Sequence, residues 1–561
     1  MATVTSRFNI PVPSTDLLTY IFDTPWSPSQ GWPGDEPLVL NAKGPDVPSC
    51  TFNELKHLVK CFACGFQQRA RPGARVVIYG TLDVYLPAVV LGAIGVGACC
   101  NICPMYPVPE TVARFETVQA DFVFFAPQHL DRVLSAAAQA GIPTDHLFVL
   151  DEYTTGQPVA GGTVQHWSSL LDLIKGPEFE WRRLSAEEAK TTTVLLTHTS
   201  GTTGLPKLAE RTHYGLIGNI EQLLYRYHLK TRSQHEIFFC TFLYVGIGFI
   251  LYGLLIPLKA RYKSIYMAEY SLEQFLRSVE LFRPTSLHSP KHHFQGLLNN
   301  ATHADFSSVT SLRTGGAMVP FQLCEEWTRC HGSPCEVVCG MTEGGIHFAS
   351  DPRILETDNT VGELLPNLEA KVVDPHGQPL ARGECGEIWI KNPFVMKGYL
   401  DNADQTRELF SSDGFIKTGD IGMVNERGRW YVLGRIKDMF KRNTLHVMAS
   451  EIEAAIITHP EILEAVVVPV KLPEEDDEEP APRGYIVRRP GSALTMSEFM
   501  QWMSCELSEK LCLEGGAEFL ESLPVSTGGK IDRNGLRERA AREIGTIRDS
   551  APAGEQVTSQ L

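Results

Sequence analysis

Positive charge is scarce in this 561-residue sequence: 50 Lys and Arg stand against 66 Asp and Glu, a formal net charge of −16 at pH 7. A surface with that balance repels phosphate backbones, so no nucleic-acid partner is expected. Part of the excess is local, because Glu474-Glu475-Asp476-Asp477-Glu478-Glu479 is a run of six acids that reads as a solvated loop. Cysteine is sparse too. Fourteen in so long a chain do not make a disulfide framework. Cys99 and Cys100 follow an apolar Gly-Val-Gly-Ala stretch and read as buried thiols in a reducing compartment. Cys61-Phe62-Ala63-Cys64 has C-x-x-C spacing, but no second pair stands nearby and the segment reads as helix, against a zinc or redox role. No internal repeat is found, and the N-terminus lacks the apolar core of a secretory signal. The latter suggests a cytoplasmic protein. The C-terminal Ser559-Gln560-Leu561 is similar to the peroxisomal S-K-L address, with Gln560 in place of the basic residue, and makes the peroxisome the alternative. One uncharged stretch could mislead: residues 237–258 are twenty-two residues without a charge, long enough to span a bilayer. Three glycines, a proline and a strand-like start favour a buried strand followed by a buried helix, so no transmembrane segment is expected.

What is present has the texture of a globular enzyme: 43% apolar and 21% charged residues. Helical spacing over residues 51–70 is followed by a strand at Arg75-Val-Val-Ile-Tyr, a helix over 85–97 and a strand at Ala98-Cys-Cys-Asn-Ile. Phe122-Val-Phe-Phe and Leu147-Phe-Val-Leu read as further buried strands. The alternation restarts with a helix over 213–228, a strand near 237–242 and a strand at Ser264-Ile-Tyr-Met. Strands alternating with helices predict mainly parallel sheets covered on both faces, here two wound α/β halves. From about residue 361 the strands become short and are broken by Gly and Asp turns, which predicts a small β-rich subdomain. After Gly434-Arg435 a compact α+β unit follows. The expected division is a large domain over 1–435, a mobile small domain over 436–546 and a flexible tail over 547–561.

The chain is organised around Thr197-His198-Thr199-Ser200-Gly201-Thr202-Thr203-Gly204-Leu205-Pro206-Lys207. The preceding Thr191-Thr-Thr-Val-Leu-Leu reads as a strand. Two glycines permit backbone geometry that a Cβ would forbid. Hydroxyls and successive N–H groups can then turn onto one anion, and Lys207 adds a charge. This is the composition of a triphosphate cradle, although G-x-x-x-x-G-K-[ST] does not fit it.

Three further segments join the loop: Cys339-Gly340-Met341-Thr342-Glu343; Lys417-Thr418-Gly419-Asp420 with Gly434-Arg435-Ile436-Lys437-Asp438; and Gly528-Gly529-Lys530-Ile531-Asp532-Arg533. In order and spacing they resemble the adenylate-forming superfamily of acyl- and aryl-CoA synthetases, peptide-synthetase adenylation domains and beetle luciferase. The resemblance runs from about residue 50 to 540 and is closest to coumarate-CoA-ligase-like enzymes. It implies activation of a carboxylic acid with ATP and Mg²⁺ as an acyl-adenylate, release of pyrophosphate, and transfer to CoA. It implies that Thr199, Ser200, Gly201, Thr202, Thr203, Gly204 and Lys207 hold the β- and γ-phosphates, that Thr342 touches the α-phosphate and that Glu343 binds Mg²⁺. Asp420 would accept the ribose hydroxyls, with Arg435 near ribose and phosphate. Lys530 would reach the carboxylate and α-phosphate. Lys437 falls at the hinge, and Lys441 and His446 fall where relatives contact AMP. Gly316, Ala317, Cys339, Gly340 and Met341 complete the nucleotide set. The acid pocket would be lined by Tyr244, Val245, Gly248, His288, Pro290, Gly315 and Met341, with the glycines leaving room for a bulky or long acid.

The sequence departs from the pattern at Leu208, where many relatives have Gly, and at Cys339, where an aromatic ring usually stacks on adenine. Val245 replaces a pocket His, and Thr444 replaces a Gly beside the pantetheine tunnel. These departures leave three readings open. The first is an acid–CoA ligase for an aryl, fatty or polyketide-type acid. The second is an adenylating enzyme with another acceptor, such as a carrier-protein thiol, an amine or water. The third is a catalytically silent relative kept for binding.

Overall fold

The structure, a computed structural model, describes residues 3–24, 34–151, 164–199, 207–227, 236–242, 246–300, 304–351, 358–442, 445–471, 480–508, 511–525 and 531–550. Two wound sheets carry the molecule, as the alternating pattern predicts. The first has seven strands in the order 208–212, 193–198, 99–103, 75–79, 122–125, 147–149, 165–166 among the described residues. All neighbours in it are parallel except the edge pair Leu208–Thr212 with Thr193–His198. The second has nine strands in the order 363–364, 345–349, 335–341, 311–315, 286–290, 237–240, 263–266, 37–41, 50–51. Its centre is parallel, and it too becomes antiparallel at an edge, where Cys335–Met341 pairs with Gly345–Ala349.

Local sequence accounts for most of these elements. Helix Phe52–Phe66 opens on a reciprocal cap between Thr51 and Glu54 and buries Leu55, Val59 and Phe62. Helix Leu86–Gly95 has no polar face and is buried on nearly every side. It packs on helix Phe52–Phe66, where a Cβ at Gly92 would stand 2.6 Å from the Phe62 ring. Cys61 and Cys64 both lie on helix Phe52–Phe66 and are free thiols, with Cys64 Sγ donating to Asp172. Among the described residues no group of His, Cys, Asp and Glu could hold a metal ion. The uncharged run resolves into strand Ile237–Cys240 and a buried helical stretch over residues 247–260 with a π-helical turn, Ile250–Leu255, at its centre. No helix among the described residues is long and apolar enough to cross a membrane.

The β-rich unit is a five-stranded antiparallel sheet in the order 4–5, 369–373, 386–391, 416–424, 430–435. Two of its features differ from the sequence reading. Glu363–Leu364, expected in this unit, pairs instead with Gly345–Ala349 and extends the nine-stranded sheet. The N-terminal Val4–Thr5 pairs with Glu369–Val373. Beyond Arg435 a hairpin of Met439–Arg442 and Leu445–Met448 precedes helix Ala449–Ile457. A three-stranded sheet of Ile462–Val470, Ala481–Arg488 and Ala517–Leu520 follows, with its own core around Phe440, Ile452, Val467 and Phe499. The acidic run 474–479 and residues 551–561 lie outside the described residues.

Candidate active site

The two central motifs occupy equivalent places. Each lies where a parallel strand turns back into an antiparallel edge hairpin. In the first sheet, Thr193–His198 leads into the loop and Leu208–Thr212 leaves it, with His198 opposite Leu208. The Thr199 N–H donates to Lys207 O at 2.9 Å and closes the loop at its base. Ser200, Gly201, Thr202, Thr203 and Gly204 lie outside the described residues. In the second sheet, Met341 stands opposite Gly345, so Thr342 and Glu343 form the hairpin turn. Gly345 has φ +79° and Gly340 comes so close to the partner strand that a Cβ would stand 2.1 Å from Gly345 O. Side chains are excluded there by geometry.

Arg211 ties the two turns together. It sits on Leu208–Thr212 and is fully buried. Its Nη1 donates to Glu343 O at 3.0 Å and Thr342 O at 3.3 Å, and its Nη2 donates to Asn219 Oδ1 and to Phe394 O. Burial lowers its pKa to about 10, with Glu343 opposing, so it stays cationic at neutral pH. The side chains are linked as well. Tyr399 Oη donates to Glu343 Oε1 at 2.6 Å, and the Lys207 ammonium stands 4.9 Å from the centroid of the Tyr399 ring. Burial first, then Glu343, raises the Tyr399 pKa. The sequence reading assigns no role to Arg211 or to Tyr399. The strand Leu208-Ala-Glu-Arg-Thr212 also carries Glu210, so no charge pattern set Arg211 apart.

The third motif closes the site. Asp420 stands opposite Arg435 in the five-stranded sheet, and Arg435 Nε donates to Asp420 Oδ1 at 2.6 Å. Gly419, with φ +68°, makes the bend before Asp420, and its N–H donates to Glu387 Oε1. Half-buried Cys339 faces this pair. Burial pushes its thiol up to about 12, with Asp420 adding and Arg435 opposing. Cys339, Asp420 and Arg435, far apart in sequence, therefore share one electrostatic environment.

The acid pocket is less complete. Tyr244, Val245, Thr444 and Lys530 lie outside the described residues, as do the side chains of Lys441 and His446, whose backbones pair across their hairpin. Gly248 lies against Phe242, whose ring carbons are 3.5 Å from the position of a Cβ. Two expectations change. His288 is fully buried, with Nε2 3.2 Å from Ser286 Oγ and its ring 4.7 Å from both Phe238 and Tyr252. It belongs to the core, because its strand turns that side chain toward the helical layer. At Gly315 the missing side chain serves close strand pairing, since Val338 O lies 2.2 Å from where its Cβ would be. Gly316 and Ala317 are exposed, Met341 is half-exposed, and a Cβ at Gly316 would meet open space although φ is +78°.

The model of the AMP-binding enzyme family matches residues 29–400, and that of the AMP-binding enzyme C-terminal domain matches 451–530. The chain belongs to the AMP-binding enzyme family. Within the family's relatives it is 29% identical over 551 residues to a phenylacetyl-CoA ligase of Aspergillus niger, covering 96% of this chain and 99% of the relative. It is 29% identical over 538 residues to an acyl-CoA ligase of the same species, covering 93% and 98%. Its fold matches that of ATP-bound MatB from Rhodopseudomonas palustris at a TM-score of 0.80 and 22% identity, covering 94% and 99% of the two chains.

Proposed function

We propose that this enzyme activates a carboxylic acid with ATP as an acyl-adenylate and transfers the acyl group to CoA. The observation that carries the reading is the continuous path from Lys207 through Tyr399 to Glu343, held in place by Arg211. It aligns a cation for phosphate with a carboxylate for a metal. The acid's oxygen attacks the α-phosphorus, a P–O bond forms, and the bond to the β-phosphate breaks to release pyrophosphate. Lys207 and the hydroxyl-rich loop would hold the β- and γ-phosphates. Thr342, at the adjoining turn, would contact the α-phosphate. Negative charge gathers in this step, so fixed cations act where they count most.

Glu343 fits Mg²⁺: it is an almost buried carboxylate whose side-chain partner among the described residues is a neutral phenol. A single carboxylate with phosphate oxygens is an ordinary donor set for that ion, which would offset charge on the triphosphate. Asp420, oriented by Arg435, would accept the ribose hydroxyls. Lys530 would reach the reacting carboxylate from the small domain, taken as 436–546 and swinging at Lys437. In the second step the CoA sulfur attacks the acyl carbon and AMP leaves.

The acid is read as an aryl, fatty or polyketide-type acid. Because an Aspergillus relative is named a phenylacetyl-CoA ligase, phenylacetate heads the test panel. A second reading, transfer to a carrier-protein thiol or an amine, rests on Thr444, a branched residue at a position that would face the thiol's approach. Incubation with ATP, Mg²⁺, CoA and an acid panel, followed by mass detection of acyl-AMP and acyl-CoA, tests both. Acyl-CoA is expected. Pyrophosphate release without acyl-CoA would overturn the first reading in favour of the second.

A further inference from the structure

Several buried thiols in this chain rest against oxygen or nitrogen. Cys61 Sγ lies 3.5 Å from His57 Nε2, Cys64 Sγ donates to Asp172 Oδ2 at 3.7 Å, and Cys100 Sγ donates to Val90 O at 3.6 Å. Cys324 and Cys335 differ, because they meet each other. Cys335 Sγ lies 3.0 Å from Cys324 Sγ, and both thiols are free. Non-bonded carbons rest about 3.5–4.0 Å apart, and sulfur is the larger atom, so these two are pressed together. A further approach of about 1 Å brings them to the length of a disulfide.

The frame around the pair is held from both sides. Cys324 lies on the buried face of helix Phe321–His331, one turn before Trp327, and is 8% exposed. Gly332, with φ +73°, ends that helix, and Trp327 Nε1 donates to Ser333 Oγ at 3.0 Å. Pro334 O accepts from the Leu312 N–H at 3.0 Å, and Cys335 stands opposite Leu312 in the nine-stranded sheet. Cys335 is part-exposed, at the first position of strand Cys335–Met341. That strand runs into the Thr342–Glu343 turn. Helix and strand are each anchored by contacts that do not involve the sulfurs. The fold therefore brings together two thiols from different elements, whereas Cys61 and Cys64 share one helix and find other partners.

We propose that Cys324 and Cys335 are a reversible disulfide-forming pair, an oxidant-sensitive lock between helix Phe321–His331 and the root of the strand that leads to Thr342 and Glu343. The oxidant is a hydroperoxide. One sulfur, as thiolate, attacks a peroxide oxygen: an S–O bond forms, the O–O bond breaks, and the departing hydroxide takes up the thiol's proton as water. The second sulfur then attacks the first: an S–S bond forms, the S–O bond breaks, and a second water leaves. Two thiols lose two electrons and two protons, and one hydrogen peroxide becomes two waters. Burial, then the neighbouring Cys324, pushes the Cys335 thiol well above its usual range, so the pair stays reduced until peroxide accumulates. The lock does not depend on the acid-activation reading.

The test treats the full chain with hydrogen peroxide, alkylates the remaining thiols, digests, and maps the peptides by mass spectrometry. The peptides carrying Cys324 and Cys335 should be linked, two hydrogens lighter than their sum, and should separate after dithiothreitol. Exposed Cys330, Cys385 and Cys505 should not be joined to either. The oxidised protein should melt a few degrees above the reduced one, because the cross-link restricts the unfolded chain. Cys324→Ala and Cys335→Ser should each abolish the linkage and the shift. Should a variant fail to fold, the wild-type map and its reversal by dithiothreitol decide alone. Peptides of Cys324 and Cys335 that stay unlinked while Cys330 is oxidised overturn the proposal. So does a linked protein that melts at or below the reduced form, because the cross-link then locks nothing.

Discussion

Tyr399 Oη donates to Glu343 Oε1 at 2.6 Å, although the two residues lie 56 positions apart, Glu343 in a hairpin turn and Tyr399 in the segment between strands 386–391 and 416–424. Tyr399 follows the five-stranded sheet's 386–391 strand and bridges back to Ala209, beside the loop lysine. One hydroxyl thereby orients the carboxylate proposed to bind the metal.

Tyr399→Phe removes that hydrogen bond and keeps the ring under Lys207. A bond to a charged acceptor is worth about 1.5–3 kcal/mol, so acid-dependent ATP–pyrophosphate exchange should fall roughly 10- to 100-fold. The loss should be partly recovered by raising Mg²⁺. An exchange rate and Mg²⁺ dependence identical to wild type would show that Tyr399 does not orient Glu343.

Arg211→Met leaves several buried carbonyls without their donor. Removing one side of such a buried charged network costs about 3–5 kcal/mol. Urea unfolding should show that loss, and exchange activity should fall with it, because the Thr342–Glu343 turn loses its anchor. A stable Arg211→Met protein would place the anchoring elsewhere, in Asn219 or the Gly340–Gly345 approach.

Lys530→Ala should lose on the order of 10²-fold or more in adenylation, since it deletes a charge acting on the transition state. Thioester formation from supplied acyl-adenylate should survive. In the same assay Thr444→Gly should speed only the CoA step, and an unchanged CoA step would retire the idea that Thr444 narrows the thiol's path.

Acid should destabilise the protein well before its carboxylates titrate. Burial depresses His213 to about 4 and His347 to about 3, Arg211 also lowering the latter. Both are nearly inaccessible, and His213 Nδ1 accepts from the Leu17 N–H at 2.9 Å. The folded pKa lies below the unfolded value of about 6.5, so the unfolded chain binds more protons between the two. Their contribution is fully present above pH 6.5 and is lost as pH falls toward 3–4. Each group should remove up to about 1.4 kcal/mol per pH unit in that window. Urea midpoints measured from pH 7 to 5 should decline accordingly, and His213→Gln should flatten the slope. A flat profile in the wild type would contradict the depressed values.

The chain's order of elements determined a great deal by itself. Alternating buried strands and helices admit little other than wound parallel sheets, because period and burial dictate which faces must be covered. Thr199–Lys207, Thr342–Glu343 and the segments ending at Asp420 and Arg435 stand out in the sequence as short motifs of distinctive residue type. Tertiary structure alone decided what those runs meet. Val4–Thr5 joining Glu369–Val373, and Pro37–Asn41 joining Lys263–Tyr266, are pairings between distant segments that local pattern does not encode. His288 and Gly315 looked like pocket residues, and packing assigned one to the core and the other to close strand contact. Arg211 and Tyr399 look in sequence like ordinary strand and loop residues. Only the folded chain buries the Arg211 guanidinium against the Thr342–Glu343 turn, and a buried charge matters in proportion to the water it has lost.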